Sequence, residues 1–257
     1  MNIAGPAILD LNTQRDLFTP DGALPVCDLG KFDAGMKKLF SAANRLRTPV
    51  ISTRLYNQMV TQPRGGVSKL VCNPATPGYQ KLPFTQLRRR MEMPPDCGTS
   101  LPVDAFHRLN QFIFDLPSLN LFECPRLDRL LSETTVGEYI IVGAPLEFSV
   151  RTAVLGLLQR RIKVSLIADC IGQWDAYEGD MALRQIESKN VEWLTVEQAI
   201  ARMSVKPQRP PMFERRPGSV PASKAQLNTP HAAAVPAQAS ARAGKDRGKT
   251  PAGKFRR

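Results

Sequence analysis

The chain has 257 residues, 42% of them hydrophobic, with 22 Pro, 17 Gly and a formal charge of +12. That length and apolar content can supply a core for one large or two small domains. No short repeat, heptad run or dense cysteine pattern is present, which excludes collagen-like, coiled-coil and disulfide-scaffold chains, and no apolar run approaches the ~20 residues of a membrane helix.

In chain order, the apolar run over residues 6–11 stops at Asn12-Thr-Gln, as a buried parallel strand does. Phe32, Met36, Leu39, Phe40, Ala43 and Leu46 follow helical spacing, and Thr48-Pro49 ends that helix. Residues 50–53 and 111–114 read as the second and third strands. Leu127, Leu130 and Leu131 mark a short helix, residues 139–142 are the fourth strand, and Val150, Ala153, Val154, Leu157 and Leu158 form an apolar helical stripe. A fifth strand at 164–168, a helix over 181–186 and a sixth strand at 191–194 follow. Val196, Ala199, Ile200 and Met203 close the body with a last helical face. This alternation predicts an α/β fold, a six-stranded parallel sheet flanked by helices on both faces. Residues 56–110 show turn residues and no period, and so read as a long functional loop or lid with Arg88-Arg89-Arg90 exposed.

Charge divides the chain in two. Residues 205–257 hold 12 Lys or Arg against Glu214 and Asp246, with eight prolines, ten alanines and only Phe213 and Phe255 as aromatics. Such a composition buries too little apolar surface to offset its chain entropy, so a disordered basic tail is predicted after a folded domain at 1–204. The body keeps 23 basic and 21 acidic residues, a charge of +2. The tail's cations favour weak, nonspecific nucleic-acid contact, or serve only to keep the chain in solution.

Cys27, Cys72, Cys97, Cys124 and Cys170 include no Cys-x-x-Cys pair, and His107 and His231 are the only histidines. Neither a zinc ribbon nor a Ser-His-Asp relay is supported, and no cofactor or metal is expected. Five unpaired thiols read as buried cysteines of a reducing compartment. The N-terminal Met-Asn-Ile-Ala-Gly-Pro has neither the basic start nor the apolar stretch of a signal peptide, so a cytoplasmic, membrane-free location is expected.

In open parallel sheets, ligands bind beyond the carboxyl ends of the strands where strand order reverses. The first and fourth strands meet there, which singles out Asp10 and the turn Gly143-Ala-Pro-Leu-Glu-Phe-Ser149. Each residue also has a plainer role: Asp10 as a loop cap, Ser149 as a helix N-cap, Gly143 as a turn glycine.

The segment Ile8-Leu-Asp-Leu-Asn-Thr-Gln14, the fourth strand with its helix, Lys163-Val-Ser-Leu-Ile-Ala-Asp-Cys170 and Glu192-Trp-Leu-Thr195 together resemble the isochorismatase-like cysteine hydrolases. The resemblance covers essentially the whole body. It implies the strand order 3-2-1-4-5-6, an Asp–Lys–Cys triad beside a cis peptide, and a habit of forming homo-oligomers. Asp10 falls on the family's Asp and Ser149 on its nucleophilic Cys, where a hydroxyl is the weaker nucleophile. The family's Lys is expected near Asp115 or Leu116, where there is none. The cis peptide falls on Ala144–Pro145, and Pro145 has no N–H to offer an oxyanion. Metal-binding members use an Asp and spaced His residues after the second strand, and Arg54-Leu-Tyr-Asn-Gln-Met59 has none. Three departures together imply a catalytically degenerate domain that binds a small-molecule ligand or a partner. The alternative is a hydrolase of an amide or vinyl ether that works through Asp10, as family members without the Cys do. A nucleic-acid role through the tail is a third reading.

Overall fold

A computed structural model describes residues 2–205 apart from 28, 62–66, 97 and 103–107. Cys97, both histidines and nearly all of the basic tail therefore lie outside the described residues.

Seven strands form one parallel sheet in the order β5-β6-β2-β1-β7-β8-β9. They are β1 (Asn2–Leu11), β2 (Val50–Leu55), β5 (Arg90–Met93), β6 (Gln111–Leu116), β7 (Thr135–Gly143), β8 (Val164–Ile171) and β9 (Glu192–Leu194). Six of them match the predicted strands in the predicted order. The seventh, β5, is a correction: it adds outside β6 and comes from the stretch expected to be irregular. That stretch also holds an antiparallel hairpin of β3 (Gln58–Thr61) and β4 (Ser68–Val71). Short strands of four residues carry too few alternations to be seen by period in sequence.

Helices cover both faces. On one side α2 (Phe32–Leu46) and α6 (Val196–Ser204) pack on Ile8, Val50, Ile140 and Val142. On the other α3 (Pro125–Glu133), α4 (Arg151–Gln159) and α5 (Ala176–Glu187) pack on Ala7, Leu9, Leu11, Ile51 and Ile141. Neighbouring strand residues thus serve opposite cores, as the period of two requires, and strands buried on both faces read as continuous apolar runs. A short α1 (Arg15–Phe18) follows β1. Asp175 caps α5 by accepting from the backbone N–H groups of Tyr177 and Glu178, and Thr195 with Gln198 makes a reciprocal capping box on α6.

The strand order reverses between β1 and β2 on one side and β7 on the other. Leu11 pairs with Gly143, and Asp10 lies between Ser52 and Val142. The carboxyl ends of β1, β2 and β7 therefore meet at the switch point.

Candidate functional site

Asp10 is fully buried at that point, on a strand that otherwise buries apolar side chains. A carboxylate there needs several partners. Its Oδ1 accepts from the Thr13 hydroxyl (2.8 Å). Its Oδ2 accepts from the Ser52 hydroxyl (2.6 Å) and pairs with the Lys81 ammonium (2.9 Å). Gln111 in turn donates to Ser52 Oγ (2.8 Å) and holds the segment above through the Leu87 N–H and the Thr85 carbonyl.

Lys81 corrects the sequence reading. No lysine follows β6 in the chain near Asp115 or Leu116, yet a cation does reach Asp10, from a segment 71 positions beyond it. Its neighbours are strapped over the end of β1. Leu82 N–H donates to Thr13 O, Arg15 N–H to Gln80 O, and the Gln14 amide to Tyr79 O and Leu55 O. The three ammonium hydrogens face three acceptors: Asp10 Oδ2, Thr13 Oγ1 (2.7 Å) and Thr53 O (3.2 Å). Burial pushes the Lys81 pKa down, and Asp10 works against that shift.

Asp115 serves a different cation. It takes two bonds from the Arg54 guanidinium, which also pairs with Glu92 (3.0 Å) and lies over the Tyr79 ring, 4.5 Å from its centroid. Leu116 is buried in the core.

Ser149 sits in a π-turn over Leu146–Val150, ahead of α4, and it is buried. The turn makes no side-chain cap, so the N-cap reading fails. The Ser149 hydroxyl donates to the Leu119 carbonyl (3.0 Å) and accepts from the Asn12 amide (3.0 Å). That amide also donates to Ala144 O (2.9 Å), and its oxygen accepts from the Thr53 hydroxyl (2.6 Å). Asn12, which the sequence reading passed over, thus stands between Asp10's strand and Ser149. The Ala144–Pro145 bond is cis. Gly143 has φ +112°, and a Cβ there would lie 1.9 Å from Leu11 O, so the close β1–β7 approach admits only glycine.

Residues 6–198 match the family model described as the isochorismatase domain. The chain belongs to the isochorismatase family. No curated protein matches it. Among solved structures it is similar to a pyrazinamidase of Pyrococcus horikoshii in complex with zinc (TM-score 0.57, 21% identity, 74% of this chain and 98% of that one). It is also similar to the MAR1 ribonuclease from Caenorhabditis elegans (0.53, 18%, 79% and 83%). A third is the YcaC gene product from Escherichia coli, described as an octameric hydrolase of unknown specificity (0.54, 14%, 79% and 80%). At these identities the likeness is one of fold. The donors present among the described residues do not fit a zinc site like that named for the pyrazinamidase. Among the described residues no three His, Cys, Asp or Glu side chains come together to hold a metal, and β2 leads into Tyr56, Asn57 and Met59 instead.

Proposed function

We propose that this isochorismatase-family domain is catalytically degenerate at the Asp10 position and acts as a ligand-binding or interaction module. One observation carries the reading: the polar groups at the switch point are committed to one another. Lys81 has no hydrogen left for a substrate, and both Asp10 oxygens accept from protein donors. Attack by Ser149 would require a base on its hydroxyl, and among the described residues that hydroxyl bonds the Leu119 carbonyl and the Asn12 amide rather than a carboxylate. Pro145 adds to this, since it has no N–H with which to steady an oxyanion.

A second reading is favoured by the Asp10–Lys81 pair itself. A hydrolase that transfers a proton to a vinyl ether without a covalent intermediate needs the carboxyl group and its cation but not a nucleophile. The test is a panel of small amides and isochorismate, assayed with the wild type, Ser149→Cys, Ser149→Ala and Asp10→Asn. Inactivity of all four, including Ser149→Cys, is the expected result. Wild-type turnover that survives Ser149→Ala and collapses in Asp10→Asn overturns degeneracy in favour of the second reading.

Self-association belongs to the same proposal, supported by the octamer named for YcaC, and light scattering of the purified chain tests it.

A further inference from the structure

The sheet ends unevenly on the β9 side. β9 pairs with Ser165, Leu166 and Ile167 and stops, while β8 runs on to Ile171. Among the described residues no strand lies beside 168–171 on that edge, and Ala168 and Asp169 are exposed there. The missing strand positions open into a cavity of about 470 Å³. Phe32, Leu146, Leu183 and Trp193 give it an apolar lining, and Asp169 and Glu187 stand in its wall. Two features of this wall are unfinished. Neither the Asp169 nor the Glu187 carboxylate has an ion pair or hydrogen bond among the described residues, and both side chains are exposed. The Trp193 indole N–H is buried without an acceptor, although buried indole N–H groups ordinarily find one.

An exposed strand edge offers main-chain donors and acceptors to an added strand, and the flanking side chains select what that strand carries. Here the selection is for apolar and cationic side chains. We propose that this notch beside β8 binds an extended basic peptide segment of a partner protein, which adds to the sheet edge and places an apolar side chain among Leu146, Leu183 and Trp193 and a Lys or Arg near Asp169 and Glu187. The inference holds whether or not Asp10 turns over a substrate.

The probe is an acetylated, amidated, fluorescein-labelled hexapeptide of alternating valine and lysine, titrated with the full-length chain and followed by anisotropy. Saturable binding is expected. It should weaken by about three- to tenfold in Asp169→Asn/Glu187→Gln, in keeping with the loss of two solvent-exposed charge pairs, and by about tenfold in Leu183→Arg, which fills the notch with a like charge. The same peptide with its valine nitrogens methylated, and its glutamate counterpart, should not bind. No saturable binding, or equal binding by the wild type and the carboxamide double variant, overturns the site. Equal binding of the N-methylated peptide or of n-hexylamine overturns strand addition. Thermal melts of both variants confirm that they are folded.

Discussion

Lys81 and Asp10 behave as one unit, because removing either leaves the other charged and buried. Lys81→Met is expected to destabilise the domain by about 3–5 kcal/mol in urea unfolding, mostly through the stranded Asp10. The double variant Asp10→Asn/Lys81→Met is expected to cost clearly less than the two single changes added together, as contacting partners do. Ser149→Ala is milder. It frees the Leu119 carbonyl and one Asn12 hydrogen, for an expected loss of about 1–3 kcal/mol in the same assay. Glu147 is a different kind of buried acid. Its Oε1 accepts from the Trp174 and Asp175 N–H groups, while its Oε2 has no partner. Burial pushes its pKa above the usual carboxylate value of 4.5, against the pull of those backbone bonds. A raised carboxyl pKa means that the folded state holds its proton longer, so this contribution is full below about pH 4.5 and is lost as pH rises through the folded value. Glu147→Gln keeps the acceptor and removes the titration. Its stability relative to wild type should therefore rise across that window, and parallel urea curves at several pH values measure the difference.

At the scale of elements, the β1–β7 pair carries the site and depends on one glycine. Gly143→Ala would place a Cβ against Leu11 O at a φ that side chains rarely adopt. A loss of about 3 kcal/mol or more is expected, seen as a lowered melting temperature or as failure to fold. The segment between β2 and β6 shows a related economy of contacts. Its hairpin leaves Met59 and Leu70 largely exposed, whereas residues 79–87 are pinned to the ends of β1 and β6 by backbone and glutamine bonds. That pinning is what delivers Lys81 to Asp10.

Across the whole molecule, the uneven charge separates two kinds of behaviour. The folded body is near neutrality at +2, and residues 205–257 carry +10. Binding to duplex DNA is expected to be weak, independent of sequence and steeply salt-dependent. Gel-shift titrations at two salt concentrations should show it lost when residues 205–257 are deleted; retention by the shortened chain would place the contact on the body.

The amino-acid sequence by itself determined six of the seven strands of the sheet and their order, but not β5. Residues such as Ile8–Leu11, Tyr139–Val142 and Val164–Ile167 declare buried parallel strands because a strand covered on both faces must be apolar throughout. It also marked Asp10, a carboxylate inside such a run, and the turn from Gly143 to Ser149. The tertiary structure alone decided what Asp10 faces. Lys81 is the only lysine between Lys69 and Lys163, and a buried carboxylate calls for a counter-charge; those two facts could have pointed to it. Nothing local does so, because Lys81 lies in a stretch without period whose course is set by long-range bonds to Thr13, Gln14 and Gln111. The commitment of Ser149 to Leu119 and Asn12 is of the same kind. A hydroxyl's partners are fixed by which loops are folded over it, and neighbouring residues in the chain carry no record of that.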